Sequence, residues 1–247
     1  KEMLERHAQR SEGAILFAGP TGSGKTTTMY ALLQNLVAQN LSVVSIEDPV
    51  EIQIPGVAQT SVDEKRELGF SSCLRSILRQ DPDVILLGEM RDEESAKIAL
   101  QAALTGHLLL TTVHARDAIE VLLRLRALQA DLLSVAQAVS LIVCQRLLPL
   151  LCSHCKVVDL TAPTTHSVEV FRAVGCAHCD YSGYTGRTVV TECLEMHASL
   201  YEILVHNELH KLSRKNFPIE HYVPLSLGLE KLLNAGSIPW TAFNSSA

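Results

Sequence analysis

The chain has 247 residues, of which 47% are hydrophobic, 19% charged and 4% aromatic, with a formal net charge of −6. This length and apolar content suffice for one large α/β core plus a smaller appendage, and they exclude a disordered chain. The acidic balance and scarce aromatics count against a nucleic-acid binder, which needs a basic surface or stacking rings, so no direct nucleic-acid partner is expected.

Gly13 to Ala18 is a short apolar run that reads as a buried strand, followed by a glycine-rich loop. A helical pattern then runs from Lys25 to about Gln39, with apolar residues at Met29, Leu32, Leu33 and Leu36. Leu41 to Ile46 reads as a second strand, closed by Glu47-Asp48-Pro49, and a polar stretch with Pro55 and Gly56 follows. Ser71 to Gln80 reads as a helix with Arg75 and Arg79 one turn apart. Val84 to Leu87 is a third strand, Glu93 to Leu104 a helix stopped by Gly106, and Leu108 to Val113 a fourth strand ending at His114. Two further helices are predicted over about Ala118 to Leu128 and Leu132 to Leu148. From Leu151 to about Arg187 periodicity is lost; Thr188 to Leu194 is strand-like and the rest mostly helical.

Strands alternating with helices predict an α/β fold, a P-loop core with a largely parallel sheet whose ligands lie at the carboxyl ends of the strands. Three segments are expected: a core over 1–148, a cysteine-bearing loop over 149–187 and a mostly helical portion over 188–247. No run of 18 apolar residues and no basic-then-apolar leader occurs, so a soluble, unprocessed chain is expected. Because it starts at Lys1, well before the first strand pattern, it is expected to be a fragment beginning at a domain boundary.

Gly19-Pro20-Thr21-Gly22-Ser23-Gly24-Lys25-Thr26 lies between a strand and a helix and has the form of a P-loop. Its glycines let backbone N–H groups curl around phosphates, and the helix amino end adds partial positive charge. Lys25 is expected to reach the terminal phosphates of ATP and Thr26 to hold Mg²⁺, with Thr27 following on the same turn. Asp81-Pro82-Asp83-Val84-Ile85-Leu86-Leu87-Gly88-Glu89 has the form of a Walker B strand, whose exit acid can hold the water shell of Mg²⁺ or orient the attacking water. Glu47, Asp48 and Glu51 cluster after the second strand, where carboxylates make sense beside magnesium or a water proton; alone they form a charged turn. His114 by itself reads equally as a satisfied histidine near the core.

Cys152-Ser-His-Cys155 and Cys176-Ala-His-Cys179, twenty residues apart, fit a closed, structural Cys₄ zinc site. Without a leader, the pattern suggests a reducing compartment rather than disulfides. Zinc would hold a segment too short and polar to build its own core. His154 and His178 lie inside the knuckles as competing ligands, though four cysteines suffice. Cys73, Cys144 and Cys193 read as small buried residues.

Together, the P-loop, the box Glu47-Asp48-Pro49-Val50-Glu51, the run from Leu78-Arg79-Gln80 through Gly88-Glu89-Met90-Arg91-Asp92, and Thr105-Gly106-His107 through His114 resemble, in order and spacing, the type II secretion and type IV pilus ATPases. The resemblance covers about residues 13 to 195. It implies a RecA-like hexameric motor, cytoplasmic and peripheral at the inner face of the cell membrane. It further implies inner-membrane platform and anchor proteins as partners, and assembly of a pilus or pseudopilus driven by ATP. By the same resemblance Glu51 is the general base, Glu89 the Walker B acid, His114 a sensor of the γ-phosphate, and Arg75 and Arg79 arginines directed toward the nucleotide. Gly175-Cys176-Ala-His-Cys179 with Gly183-Tyr184-Thr-Gly186-Arg187 resembles the tetracysteine loop of the assembly branch, which retraction motors typically lack.

Two features depart from the family pattern. The histidine box reads Thr112-Val113-His114-Ala115-Arg116, where the family more often has leucine before the histidine and threonine after it. The family's preceding domain, a source of further arginines, is not in this sequence, so weak activity of the piece in isolation is expected. Two alternatives stay open: a nucleic-acid-dependent ATPase with a zinc module, and a nucleotide-binding subunit that does not turn over.

Overall fold

The computed structural model describes residues 1–63, 69–163 and 169–246. Its contacts divide the chain into two compact units. One comprises Lys1–Pro20, Lys25–Cys144 and Cys193–Tyr222; the other comprises Thr21–Gly24, Gln145–Glu192 and Val223–Ala247. This cuts the chain differently from three consecutive segments, because 193–222 returns to the first unit.

The first unit is built on parallel strands. β1 (Gly13–Ala18) is buried at every position and lies between β5 (Leu108–Val113) and β6 (Val139–Leu151). Outward from β5 come β4 (Val84–Leu87), β2 (Val43–Glu47) and β3 (Val57–Ser61), each pair parallel. Gly13 aligns with Leu108 and Ala18 with Val113, so β1 and β5 end at one level. On the other side of β6 the order continues through β9 (Tyr184–Glu195) to β10 (Tyr222–Val223).

Side chains alternate across the sheet, as a pleated strand requires. Ala14, Leu16 and Ala18 enter one apolar layer together with α3 (Phe70–Ile77), α4 (Glu93–Leu104), α5 (Ala118–Ala127), α6 (Leu132–Ala138) and α7 (Ala198–Val205). Ile15 and Phe17 enter the opposite layer with α2 (Lys25–Val37) and with Ala8 of α1 (Glu2–Ala8). A sheet buried on both faces explains why its strands read as continuous apolar runs. Asp92, Asp117 and Asp131 cap α4, α5 and α6 by accepting backbone N–H bonds from Ser95, Glu120 and Ser134, satisfying donors otherwise orphaned at a helix start.

The helix predicted over Leu132 to Leu148 is half right. It stops at Ala138, and Val139 begins the longest strand of the sheet. Val139-Ser-Leu-Ile-Val-Cys has no periodicity that separates a buried helix from a buried strand. The open edge of β1 decides it: Leu141 and Val143 fill one layer and Ile142 and Cys144 the other, a two-residue alternation. Helix α3 closes as a 3₁₀ turn over Leu78–Gln80. α1 and β3 lie where no element was predicted.

In the second unit Leu148, Val170, Val190, Leu229, Leu233 and Ile238 form a separate core under α8 (Leu225–Asn234) and α9 (Trp240–Ser246). β7 (Val157–Val158) and β8 (Phe171–Arg172) make a small antiparallel pair beside the cysteines. Part of the predicted cysteine loop, 164–168, lies outside the described residues.

Candidate nucleotide site and metal centre

β1 delivers the chain into the glycine-rich loop, where Gly19, Gly22 and Gly24 have φ values of 135°, 75° and 88°. These conformations are open to glycine and strained for other residues, and they let a backbone turn its amides inward. Lys25 opens α2, and its Nζ donates to the carbonyls of Gly19 at 2.8 Å and Pro20 at 3.1 Å. Burial holds the ammonium below its ordinary pKa, against the pull of the Glu89 carboxylate. Ser23 Oγ is buried without a hydrogen-bond partner among the described residues. A cation resting on carbonyls, an unsatisfied hydroxyl and glycine-turned backbone fit a bound phosphate chain.

One cleft is lined by Lys25, Thr26, Tyr30, Glu51, Phe70 and Glu89, with Glu47, Asp48, Gly88 and Thr112 among its other walls. The strand ends that build it are locked together. Gly88 N donates to Ile46 O at 2.7 Å, Thr112 Oγ1 to Gly88 O at 2.6 Å, and Met90 N to Thr112 O at 3.2 Å.

The acidic cluster separates into three roles. Glu47 is 5% exposed; it accepts from the Tyr30 hydroxyl, from Ser45 Oγ at 2.6 Å and from Gln59 Nε2 at 3.1 Å. Those bonds make it a satisfied buried carboxylate. Asp48 pairs with Arg91 at 2.9 Å, while Glu51 is exposed at the cleft.

Glu89 is bridged by Arg91 Nε on one oxygen and by His114 Nε2 at 3.0 Å on the other. Arg91 also lies 5.2 Å from the Phe70 ring centroid. Burial opposes its charge, but Glu89 and Asp48 outweigh that and raise its pKa. Arg75 and Arg79 are not among the lining residues: Arg75 pairs with Glu94 at 2.5 Å, and Arg79 sits on the exposed 3₁₀ turn. Sequence reasoning missed Tyr30 and the partner roles of Asp48 and Arg91. Arg91 stands in a motif already singled out, whereas Tyr30 carries no local signal because its partner is seventeen residues away.

In the second unit the Sγ atoms of Cys152, Cys155, Cys176 and Cys179 lie within 4.8 Å of one another. Cys152–Cys176, Cys155–Cys179 and Cys176–Cys179 are separated by 4.0, 3.8 and 3.9 Å. Zn–S bonds of about 2.3 Å in a tetrahedron require S···S separations of about 3.8 Å, so the four sulfurs fit that ion. Gly175 N donates to Cys155 Sγ at 3.3 Å, and Gly183 N to Cys179 Sγ at 3.2 Å, donors suited to thiolates. Burial works against the Cys179 thiolate, yet the Cys176 and Gly183 amides and adjoining thiols bring its pKa down to about 6. His154 and His178 face each other with ring centroids 4.0 Å apart.

A parallel sheet with a P-loop at the exit of β1 and acids at the exits of β2 and β4 defines a P-loop nucleotide-binding protein. The model of the type II/IV secretion system protein family matches residues 1–226, and the chain belongs to that family. It is 37% identical to a putative type II secretion system protein E of Escherichia coli over 97% of this chain and 50% of that protein. It is 40% identical to a type II secretion system ATPase E of Vibrio cholerae over 83% and 42% respectively. The chain therefore spans at most half the length of these relatives. Among solved structures, the pilus retraction motor PilT with bound ADP superposes with a TM-score of 0.74 at 27% identity, covering all of this chain and 64% of that one. The ATPase DotB of Legionella pneumophila shares the fold with a TM-score of 0.74 at 22% identity, covering 99% and 62%.

Proposed function

We propose that this chain is the ATP-hydrolysing motor domain of a machine that assembles a secretion pseudopilus or a type IV pilus. The observation that carries the reading is the cleft joining Lys25 and Thr26 of a P-loop to Glu51 and Glu89 at neighbouring strand ends, in a chain of the type II/IV secretion system family. Lys25 exchanges its carbonyl contacts for the terminal phosphates, and the backbone of Gly19 to Gly24 cradles them. Thr26 and Glu89 would hold Mg²⁺, which supplies charge neutralisation to the transferring phosphoryl group. Glu51, exposed at the cleft, is the group placed to take a proton from water, and His114 shares Glu89 at the γ-phosphate end. Arg75 and Arg79 lie off this cleft, so no role at the chain's own nucleotide is assigned to them.

Four cysteines at zinc spacing favour the assembly branch over retraction, and zinc would staple its loop without an open coordination position. Family membership supports a homo-hexameric ring, peripheral at the cytoplasmic face, acting on inner-membrane platform and anchor proteins. Among the described residues no helix is long and apolar enough to cross a membrane.

The test is ATP hydrolysis by the full-length protein, wild type against Glu89→Gln, each with and without DNA. DNA-independent turnover that the substitution abolishes supports the motor. Turnover appearing only with DNA would move the assignment to a nucleic-acid-dependent ATPase, and none in wild type to a non-hydrolysing subunit.

A further inference from the structure

Alternation along β2 and β3 puts Ser45, Glu47, Gln59 and Ser61 on the sheet face that α2 covers, with Gln59 beside Ser45 and Ser61 beside Glu47. Earlier on the same strands that face is apolar, at Val43 and Val57; it turns polar toward the carboxyl ends. The connection from β2 to β3 carries Glu51 and folds back on these polar side chains. Val50 N donates to Ser61 Oγ at 3.2 Å. Gln59 Oε1 accepts from Ile54 N at 2.6 Å, and its Nε2 donates to Ile52 O at 3.1 Å and to Glu47 Oε1 at 3.1 Å. Glu51 therefore has an anchored residue on each side. A primary amide suits this place, because it accepts at its oxygen and donates twice from its nitrogen.

We propose that Gln59 and Ser61 are positioning residues for hydrolysis: from β3 they bracket Glu51 and hold the backbone that presents this base at the cleft. This rests on the ATPase reading above. The side chains of Glu51 and Ile52 are exposed and do not pin the loop by packing, whereas buried Ile54 enters the apolar layer under α2 next to the Gln59 anchor. The anchor is tied to the P-loop helix as well. Gln59 bonds one oxygen of Glu47, and the other oxygen accepts from the Tyr30 hydroxyl on α2. One hydrogen-bonded chain thus runs from the helix that opens at Lys25 to the loop that carries Glu51. Gln59 and Ser61 are not among the residues that line the cleft, so they act through the Glu51 backbone and not on the nucleotide.

The experiment compares full-length wild type, Gln59→Met, Glu51→Gln and the double variant. Methionine keeps the length of the side chain and removes all three bonds. Gln59→Met is expected to lower kcat about 10- to 100-fold, the size of effect that follows from a misplaced group, with KM for MgATP within about twofold. In the Glu51→Gln background, followed by single turnover, it is expected to cost nothing further, because the group it positions is gone. An unchanged kcat, a rise in KM alone, or a full additional loss in the double variant would overturn the proposal. Hydrogen exchange across residues 50–54 supplies a readout that needs no turnover. The Ile54 amide bonds Gln59 directly, so faster exchange in Gln59→Met is expected, and equal exchange refutes the anchor. If wild type does not hydrolyse ATP, the motor reading fails on its own while exchange still decides the anchor. Should Gln59→Met not fold, Ser61→Ala removes the other anchor and is expected to lower kcat about 3- to 10-fold with faster exchange at Val50. An unchanged kcat and exchange there would equally overturn the proposal.

Discussion

Gly88 sits where three strands exit, and its replacement by alanine tests whether that junction is limited by space. A Cβ built there lies 3.2 Å from Ile46 O, 3.4 Å from Glu47 Cα and 3.6 Å from Phe70 Cε1. The first two contacts are backbone atoms of a strand pinned on both sides by β3 and β4, so they have little room to move. The same Ile46 carbonyl accepts the Gly88 N–H at 2.7 Å, so relief of the contact lengthens that bond. Overpacking of this kind costs about 1–3 kcal/mol; a mid-range 2 kcal/mol lowers Tm by about 4–8 °C in a chain of this size. Glu89 is the next residue, so its contacts with Arg91 and His114 shift and hydrolysis falls as well. The assay is thermal unfolding with ATP turnover on the same samples, using Gly69→Ala as the control, since a Cβ at Gly69 meets nothing within 4 Å. If Gly88→Ala melted with wild type and turned over ATP at the same rate, the argument from the strand junction would be wrong.

Acid is expected to loosen α1. Burial holds His7 below its ordinary value of 6.5, outweighing Glu195, whereas bonds from His221, His7 and Arg6 hold Glu195 below 4.5 despite its burial. Both folded pKa values lie below the unfolded ones, so the unfolded chain binds more protons and stability falls as pH drops, first below about 6.5 and again below about 4.5. Urea midpoints from pH 7.5 to 4.5 check this, and His7→Gln should flatten the upper part of the slope. Cys176→Ser, or a strong chelator, should release one zinc per chain and open 145–192 to protease; metal analysis with limited proteolysis reads both. Lys156 Nζ donates to Gly236 O at 2.6 Å and lies 4.6 Å from the Phe171 ring centroid, so Lys156→Met should destabilise the second unit by about 1–2 kcal/mol, measured by local hydrogen exchange near α8.

Local sequence determined much of this protein. The P-loop, the strands at Val84–Leu87 and Leu108–Val113, the helix at Glu93–Leu104 and the cysteine knuckles all rest on short-range patterns, because phosphate cradles, buried parallel strands and tetrahedral thiolates impose spacing on neighbouring residues. Tertiary structure decided the rest. Val139 to Cys144 became strand because β1 offered an unpaired edge, which no window of that segment reveals. Glu47, Asp48 and Glu51 look alike in sequence, yet one is buried under Tyr30, one is paired with Arg91 and one is left at the cleft. Their partners lie on α2, after β4 and across the strand exits, and only chain folding brings those distant donors to one carboxylate and withholds them from another. The return of 193–222 to the first unit has the same cause: its Leu194, Leu200 and Leu204 fill a layer opened by α4 and α6, a match of surfaces that composition alone does not encode.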